Sequence, residues 1–269
     1  IISKTDVLQN LILKEGVAKK YWNSIIPFSN LTEKALSNEF SFPKRIALFP
    51  GVSCMFYCGF CGRNQSAKYP LDIVGDSVEM YKKLFDQSPD YCSYSISGGL
   101  EPLTNPKLGE IISYAKSKNI KIPIITNGYS LTENYVKKNA GIWDADSLRI
   151  SLYGVDDESY EFITRVKKGF KQVRNNTIKF LNNRNQINKN LKFGFNFIVI
   201  PENLNQLLEL PKLINDINSN VANGKGVNFL TLRDDYQSVT EQSEKIDTER
   251  KYRLEKVMNE DERKKLKEY

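Results

Sequence analysis

Short apolar runs alternate along the chain with longer segments in which apolar residues recur every three or four positions. The short runs are rich in Ile, Val, Phe and Tyr, and Gly, Pro or Asn often borders them, which is typical of buried strands. The pattern predicts six strands, at 45–50, 91–97, 120–126, 147–153, 192–200 and 226–236.

The intervening segments have helical periodicity. In 77–87, for example, Val78, Tyr81, Leu84 and Phe85 fall on one helical face. Further helices are predicted in 106–119, 130–139, the basic segment 165–192 and 203–218. Six strand–helix units in series predict an α/β fold, a parallel sheet with its helices packed outside. The pattern does not decide between a doubly wound sheet and part of a barrel, but in both cases ligands bind at the carboxyl ends of the strands.

The composition is that of an ordinary globular protein. The chain has 269 residues, of which 40% are hydrophobic and 26% charged, and no apolar run approaches the roughly 20 residues that span a bilayer. We expect no membrane association and a cytoplasmic location with reduced thiols. We also expect a helical and loop segment at 1–44, a core at 45–237, and a polar helical tail at 238–269 that begins a C-terminal part not included in the chain.

Two features of composition limit the chemistry. The chain contains no histidine, which excludes Ser-His-Asp and Cys-His catalysis, HExxH zinc sites and His-ligated haem within it. The net charge is +7, and the segment from Arg165 to Lys192 has nine Lys or Arg and no acid. This segment is either a solvated helix face or an attraction for an anionic ligand such as a nucleotide or carboxylate. With only Phe170 and Phe180 interleaved and no nucleic-acid motif, it argues against nucleic acid.

Three of the four cysteines lie within eight positions, in GVSCMFYCGFCGR from Gly51 to Arg63. Cys54, Cys58 and Cys61 follow a strand, and a loop is a poor place for three buried thiols acting as small hydrophobes. Zinc usually takes four ligands, often from two CxxC pairs, and neither a second pair nor a histidine is present. An iron–sulfur cluster suits thiolates, and three of them leave one iron of a four-iron cluster open to a ligand. Cys92, predicted mid-strand, is interpreted as an inert core cysteine.

The C-x3-C-x2-C spacing, with Phe60 before the last cysteine, resembles the signature of the radical S-adenosylmethionine (radical SAM) superfamily. A Gly-Gly-Glu-like strand end about 40 residues later, SGGLEP, strengthens the resemblance. It implies a partial (βα)6 TIM-like barrel, a [4Fe–4S] cluster on Cys54, Cys58 and Cys61, and S-adenosylmethionine (SAM) bound to the open iron. It also implies a one-electron donor such as flavodoxin or ferredoxin.

The same resemblance implies several cofactor contacts. Gly98, Gly99 and Glu101 belong to the segment that receives the methionine amino group, although the two glycines could also be a plain turn. Asn127 and Ser151, at later strand ends, are candidate hydrogen-bond donors. Arg165 and Lys167 or Lys168 are candidates for the methionine carboxylate, with a solvated helix face as the alternative.

Longer stretches resemble the nucleotide amino-sugar deaminases of that superfamily, the group that acts on TDP-4-amino-4,6-dideoxyglucose. The stretches are LFPGVSCMFYCGFCGR, SGGLEPLTNPKLG, SLYGVDDESYE and FLTLRDDY. The likeness implies an anionic nucleotide-sugar substrate that loses a hydrogen from C3 and ammonia from C4. Arg233 and Tyr236 are the candidate substrate contacts, and a solvated loop is the alternative for RDDY. A radical enzyme acting on a peptide or small metabolite, and a non-enzymatic cluster protein, remain open.

Overall fold

A single parallel sheet organises the chain. The computed structural model describes residues 41–61, 67–222 and 224–234, together with Lys34 and Ser37. The strands of the sheet are β1 (Arg45–Leu48), β2 (Ser93–Ile96), β3 (Pro123–Thr126), β4 (Ser147–Leu152), β5 (Lys192–Val199) and β6 (Phe229–Asp234).

Helices connect successive strands. The α-helices are α1 (Ile73–Asp86), α2 (Leu108–Ser117), α3 (Glu133–Lys138), α4 (Asp157–Thr164), α5 (Gly169–Ile187) and α6 (Leu210–Ser219). Short 3-10 helices span Pro102–Thr104, Ala140–Asp144 and Pro201–Glu209. None of the helices in the described part of the chain is long and apolar enough to cross a membrane.

The strand order distinguishes a barrel-type sheet from a doubly wound one. The order is β1-β2-β3-β4-β5-β6, and every neighbouring pair is parallel. A doubly wound sheet would reverse its order at a switch point, whereas here each strand lies beside its successor. In the described residues β1 and β6 are the two edges, so the sheet is open. The predicted partial barrel is confirmed.

The core lies between the helices and one face of the sheet. Phe193 of β5 contacts Phe180 of α5, with ring centroids 5.7 Å apart, and the Phe180 ring stacks on Trp143 at 4.7 Å. The other face, called the inner face below, holds the alternate side chains of the same strands. It is largely polar and includes Ser95, Arg149, Ser151, Asn196, Thr231 and Arg233.

The basic segment forms one helix, as predicted, but that helix begins at Gly169 instead of Arg165. It follows a separate helix, α4, which begins at the cap Asp156, whose carboxylate accepts from the Ser159 N–H at 2.8 Å. Arg165 and Lys168 then take left-handed backbone conformations, with φ of 63° and 54°, and α5 starts at Gly169. The four-residue link 165–168 therefore separates two helices. Two left-handed residues other than Gly or Asn leave no signal in apolar periodicity.

Part of the positive charge is used inside the fold. Arg184 is 1% exposed and donates to the side chain of Asn228 and the backbone carbonyl of Gly226. Arg174 and Lys179 pair with Asp216 and Glu133 on neighbouring helices. These contacts give α5 a structural role in the segment predicted to be either a solvated face or an anion attractor.

The helix predicted over 203–218 is also divided. A 3-10 helix, Pro201–Glu209, precedes α6, and Pro211 lies in the first turn of α6. Proline lacks the N–H that an uninterrupted helix would need, but it is tolerated at a helix start. Of the three predicted regions, most of 1–44 and all of 238–269 lie outside the described residues.

Candidate functional site

The loop that contains three cysteines follows β1 at the carboxyl edge of the sheet. Cys58 is buried, Cys54 and Cys61 are partly buried, and none of the three is part of a disulfide bond. The backbone N–H of Cys61 donates to the Cys58 carbonyl at 3.0 Å, which closes a tight turn over the second half of the motif. Residues 54–61 are called the cysteine loop below.

Glu101 holds this edge of the sheet together. Its carboxylate accepts from the backbone N–H of Leu103 at 3.0 Å and of Asn127 at 2.8 Å, and also from the Thr126 hydroxyl. Its own N–H donates to the Ser53 carbonyl at 2.9 Å. Burial raises the pKa of the Glu101 carboxyl, and the three donors oppose that rise. The carboxylate is therefore a brace between β3 and the loop after β2, while the contact with SAM implied for Glu101 stays a prediction.

Two further side chains that connect the loop after β2 to the loop after β1 were not predicted from the sequence. The Thr104 hydroxyl accepts from the N–H groups of Val52 and Ser53 at 3.0 and 3.1 Å, and the Asn105 amide donates to the Pro50 carbonyl at 2.9 Å. These residues follow the Gly-Gly turn, and side-chain caps of this kind are common in turns. A Thr-Asn pair in the loop that follows a strand is the signal that could have found them.

Asn127 connects β3 to the cysteine loop. Its amide nitrogen lies 3.9 Å from the Cys54 sulfur and 3.2 Å from the Met55 sulfur. Its amide oxygen accepts from the Tyr129 N–H at 3.0 Å. The structure thus places two predicted site residues in contact although they are 73 positions apart.

Two aromatic side chains of the cysteine loop pack against tyrosines from neighbouring segments. The Phe56 ring meets Tyr129, Tyr153 and Tyr160 edge-on, with centroids 5.6 to 5.9 Å apart. Phe60, the aromatic of the motif, packs on Tyr153 at 5.6 Å. These tyrosines come from the turns and helix after β3 and β4, and their contacts had no local sequence signal. These rings shield one side of the loop from water.

Gly98, Gly99 and Ser151 lie at carboxyl strand ends, as predicted. Gly99 has φ of 81°, a conformation in which side chains are strained. Ser151 is on the inner face near the end of β4, where it is partly exposed. Their predicted contacts with a cofactor stay predictions.

Arg165 and Lys167 are exposed in the link between α4 and α5. The link lies near the cysteine loop, because the N–H of Tyr57 donates to the Thr164 carbonyl at 2.9 Å. Of the residues predicted to contact substrate, Arg233 is partly buried on β6, and Tyr236 lies outside the described residues.

The thiols of Cys54 and Cys58 are in a setting that disfavours bare thiolates. Burial raises the pKa of Cys54, and it raises that of Cys58 to about 12, with the charges of the other loop cysteines adding to the rise. Bound iron would replace the thiol protons and compensate the negative charge. In the described residues no three Cys, Asp or Glu are grouped closely enough for a single metal ion. A four-iron cluster does not need its ligands grouped around one ion, because each thiolate binds a different iron. The three thiols of the cysteine loop fit such a cluster.

A comparison with known families decides the broader identity. The sequence profile of the Radical SAM superfamily matches residues 48–214, which include the cysteine loop and the four strands β2 to β5. The chain belongs to the radical SAM superfamily. Members of this superfamily use a [4Fe–4S] cluster and SAM, and in the radical SAM motif of this chain Cys54, Cys58 and Cys61 are the residues that would hold the cluster.

Two curated relatives are similar over different lengths. The dTDP-4-amino-4,6-dideoxy-D-glucose ammonia-lyase of Streptomyces venezuelae is 32% identical over 252 residues, 92% of this chain and 51% of the relative. A probable GTP 3',8-cyclase of Methanococcus maripaludis is 37% identical over 146 residues, 48% of this chain and 44% of the relative. The chain thus spans about half the length of the curated relatives it matches.

A solved structure has a similar fold. SuiB of Streptococcus suis, bound to its precursor peptide SuiA, matches 85% of this chain and 50% of its own, with a TM-score of 0.56 and 16% identity. At this identity the likeness concerns the fold alone.

Proposed function

We propose that this radical SAM protein takes a hydrogen atom from a nucleotide-linked amino sugar, which then loses ammonia. The observation that carries the proposal is the 32% identity to the amino-sugar ammonia-lyase, because it extends over 92% of this chain. It therefore includes the cysteine loop, the Gly-Gly-Leu-Glu turn and β6.

The residues around the cysteine loop would have two roles, to hold the cluster and to exclude water. Cys54, Cys58 and Cys61 would hold the cluster at the carboxyl edge of the sheet. When bound, the cluster supplies the electron that cleaves SAM to a 5'-deoxyadenosyl radical. The aromatic side chains of Phe56, Phe60 and Tyr153 keep water from the loop, which protects a radical from side reactions.

The remaining predicted residues would bind the cofactor and the substrate. Asn127 and Ser151 offer hydrogen bonds to SAM from the ends of β3 and β4. Arg165 and Lys167 offer positive charge to its carboxylate from the link beside the cysteine loop. Arg233, with Tyr236, offers charge and a hydroxyl to the sugar nucleotide from the end of β6.

An electron donor and a cellular compartment belong to the same proposal. A one-electron donor such as flavodoxin or ferredoxin would reduce the cluster. The cytoplasm is the expected compartment, since free thiols persist there.

The direct test is ammonia release by anaerobically reconstituted, reduced protein incubated with SAM and TDP-4-amino-4,6-dideoxyglucose. We expect ammonia and 5'-deoxyadenosine to appear together and to depend on the sugar. A matched control omits the 4-amino group, using TDP-6-deoxyglucose, and should give no ammonia.

The outcome also separates this function from its alternatives. Cleavage of SAM at the same slow rate with and without the sugar would keep the radical chemistry and reject the amino-sugar assignment. Stimulation by a peptide or another small metabolite instead would replace it.

A further inference from the structure

The inner face of the sheet contains a buried polar side chain that forms no hydrogen bond within the part of the chain that the structure describes. Asn196, in the middle of β5, is 0% exposed, and neither its amide nitrogen nor its amide oxygen has a hydrogen-bond partner among the described residues. A side-chain amide can donate two hydrogen bonds and accept two. Leaving such a group unpaired in the interior costs about 1–3 kcal/mol, so an apolar residue of the same shape would suit a purely structural position better.

The register of the sheet shows what lies beside Asn196. Ser151 of β4 and Thr231 of β6 are its direct neighbours across the two strand pairs. Both point to the same inner face, since residues in register share a face of the sheet. Asn196 is therefore the centre of a row of three uncharged polar side chains.

Arg149 lies in the next row, one step toward the amino ends of the strands. In this row Arg149 is in register with Gly194, and Gly194 with Phe229. The Arg149 guanidinium lies 4.9 Å from the centroid of the Phe229 ring. A Cβ on Gly194 would come within 2.4 Å of that ring. The missing side chain at Gly194 thus lets Phe229 extend across β5 and support the guanidinium.

This support positions the charge of Arg149 without neutralising it. Within the described residues, no carboxylate forms an ion pair with Arg149. Burial lowers the pKa of Arg149, and the positive charge of Arg233 on the same face lowers it further. A half-buried guanidinium without a described ion pair is stabilised by an anion that reaches it.

We propose that Arg149 and Asn196 form a substrate subsite that binds a phosphoryl group together with a neighbouring hydroxyl. Arg149 gives charge and a planar pair of N–H donors to the phosphoryl oxygens. Asn196 donates to a phosphoryl oxygen and accepts from the hydroxyl, so both of its unpaired atoms gain partners. The inference rests on the proposed function, since a nucleotide sugar is the substrate class that offers this combination.

The test is the affinity of thymidine diphosphate for the cluster-loaded protein in the presence of SAM, measured by isothermal titration calorimetry. We expect Arg149→Gln to weaken this affinity by about 10-fold or more, as the loss of a charged hydrogen bond does. Arg149→Lys should recover part of the loss, because it keeps the charge but not the fork of donors. Lys192→Gln, at the exposed start of β5, makes the same charge change and should leave the affinity unchanged.

Asn196→Leu separates a ligand role from a structural one. It should weaken thymidine diphosphate binding several-fold while leaving the unfolding temperature unchanged or raised, because it removes an unpaired buried amide without changing the volume much. A lower unfolding temperature with unchanged affinity would show a structural role and overturn the proposal.

Further outcomes distinguish this inference from the proposed function. If Arg149→Gln weakens SAM binding instead, the subsite belongs to the methionine carboxylate, and the inference fails while the proposed reaction stands. If the parent protein cleaves SAM but does not bind thymidine diphosphate, the nucleotide-sugar substrate and this inference both fail. Unchanged affinity in Arg149→Gln, with sugar-dependent turnover in the parent, overturns the inference alone.

Discussion

At the scale of single residues, one buried carboxylate connects three parts of the site. Glu101 accepts hydrogen bonds from the loop after β2 and from both Thr126 and Asn127 at the end of β3. Asn127 in turn contacts Cys54. The position of the first cysteine thus depends on a residue that does not touch it.

Replacing Glu101 with Gln tests this brace. A glutamine has one acceptor oxygen, so its NH2 group must face at least one of the three donors, which loses a hydrogen bond and brings two donors together. We expect the free energy of unfolding to fall by about 1–3 kcal/mol, as measured by urea denaturation of the protein without its cluster.

Glu133→Gln is the matched control, because Glu133 is exposed and pairs with Lys179 on a neighbouring helix. Its effect should be close to zero. If Glu101→Gln proved as stable as the parent, the Glu101 carboxyl would have to carry a proton, and the account of an ionised brace would be wrong.

At the scale of elements, the loop after β1 can pack closely against the loop after β2 because a residue without a side chain lies between their backbones. A Cβ on Gly51, at the start of the loop after β1, would lie 2.6 Å from the Glu101 carbonyl oxygen and 2.7 Å from the Leu100 carbonyl carbon. Both neighbours are backbone atoms, which cannot turn aside as a side chain could.

Gly51→Ala should therefore displace the cysteine loop from the loop after β2. We expect a loss of stability of about 1–3 kcal/mol and a lower iron content after reconstitution. Gly75→Ala is the control, since nothing lies within 4 Å of its Cβ and it is on α1. Alanine there should raise stability by up to about 1 kcal/mol. Equal effects of the two substitutions on thermal unfolding would contradict this reading of the loop.

The link between α4 and α5 combines backbone strain with a predicted cofactor contact. Arg165 has φ of 63°, a conformation that costs a residue with a side chain about 1–2 kcal/mol. Arg165→Gly should leave stability unchanged or raise it by up to about 1 kcal/mol. If the side chain binds the methionine carboxylate, the same change should weaken SAM binding by about 10-fold.

Asn119→Gly serves as the control, because Asn119 is exposed, also left-handed at φ of 58°, and lies after α2 on the amino side of β3. It should not alter SAM affinity, measured by equilibrium dialysis. If Arg165→Gly leaves SAM affinity at the parent value, the predicted carboxylate contact is wrong.

At the scale of the whole molecule, the order of elements could be predicted from the sequence and their contacts could not. The six strands, their sequential βα rhythm and the three cysteines are local patterns in periodicity or spacing. Pairing of Thr104 with Val52, or of Phe56 with Tyr160, joins segments 52 or more positions apart, and no local pattern encodes it. The link 165–168 and the break before α6 were missed because backbone conformation, not hydrophobicity, creates them.

The same limit applies to Cys92, which was predicted mid-strand as an inert core residue. It lies one residue before β2 and is only partly buried. Its side chain still packs against the hydrophobic core. It is nevertheless a useful reference, because it is the one cysteine of the chain outside the cysteine loop.

The most direct test of the account is the yield of 5'-deoxyadenosine from SAM by the anaerobically reconstituted, reduced protein, compared with Cys58→Ala and Cys92→Ala. The parent and Cys92→Ala should bind about four irons per chain and form 5'-deoxyadenosine. Cys58→Ala should lose most of the iron and form about 100-fold less product, because a cubane with two protein thiolates is poorly held. Equal product from Cys58→Ala and the parent, or no product from a fully loaded parent, would contradict the assignment of the cysteine loop as the radical-generating site.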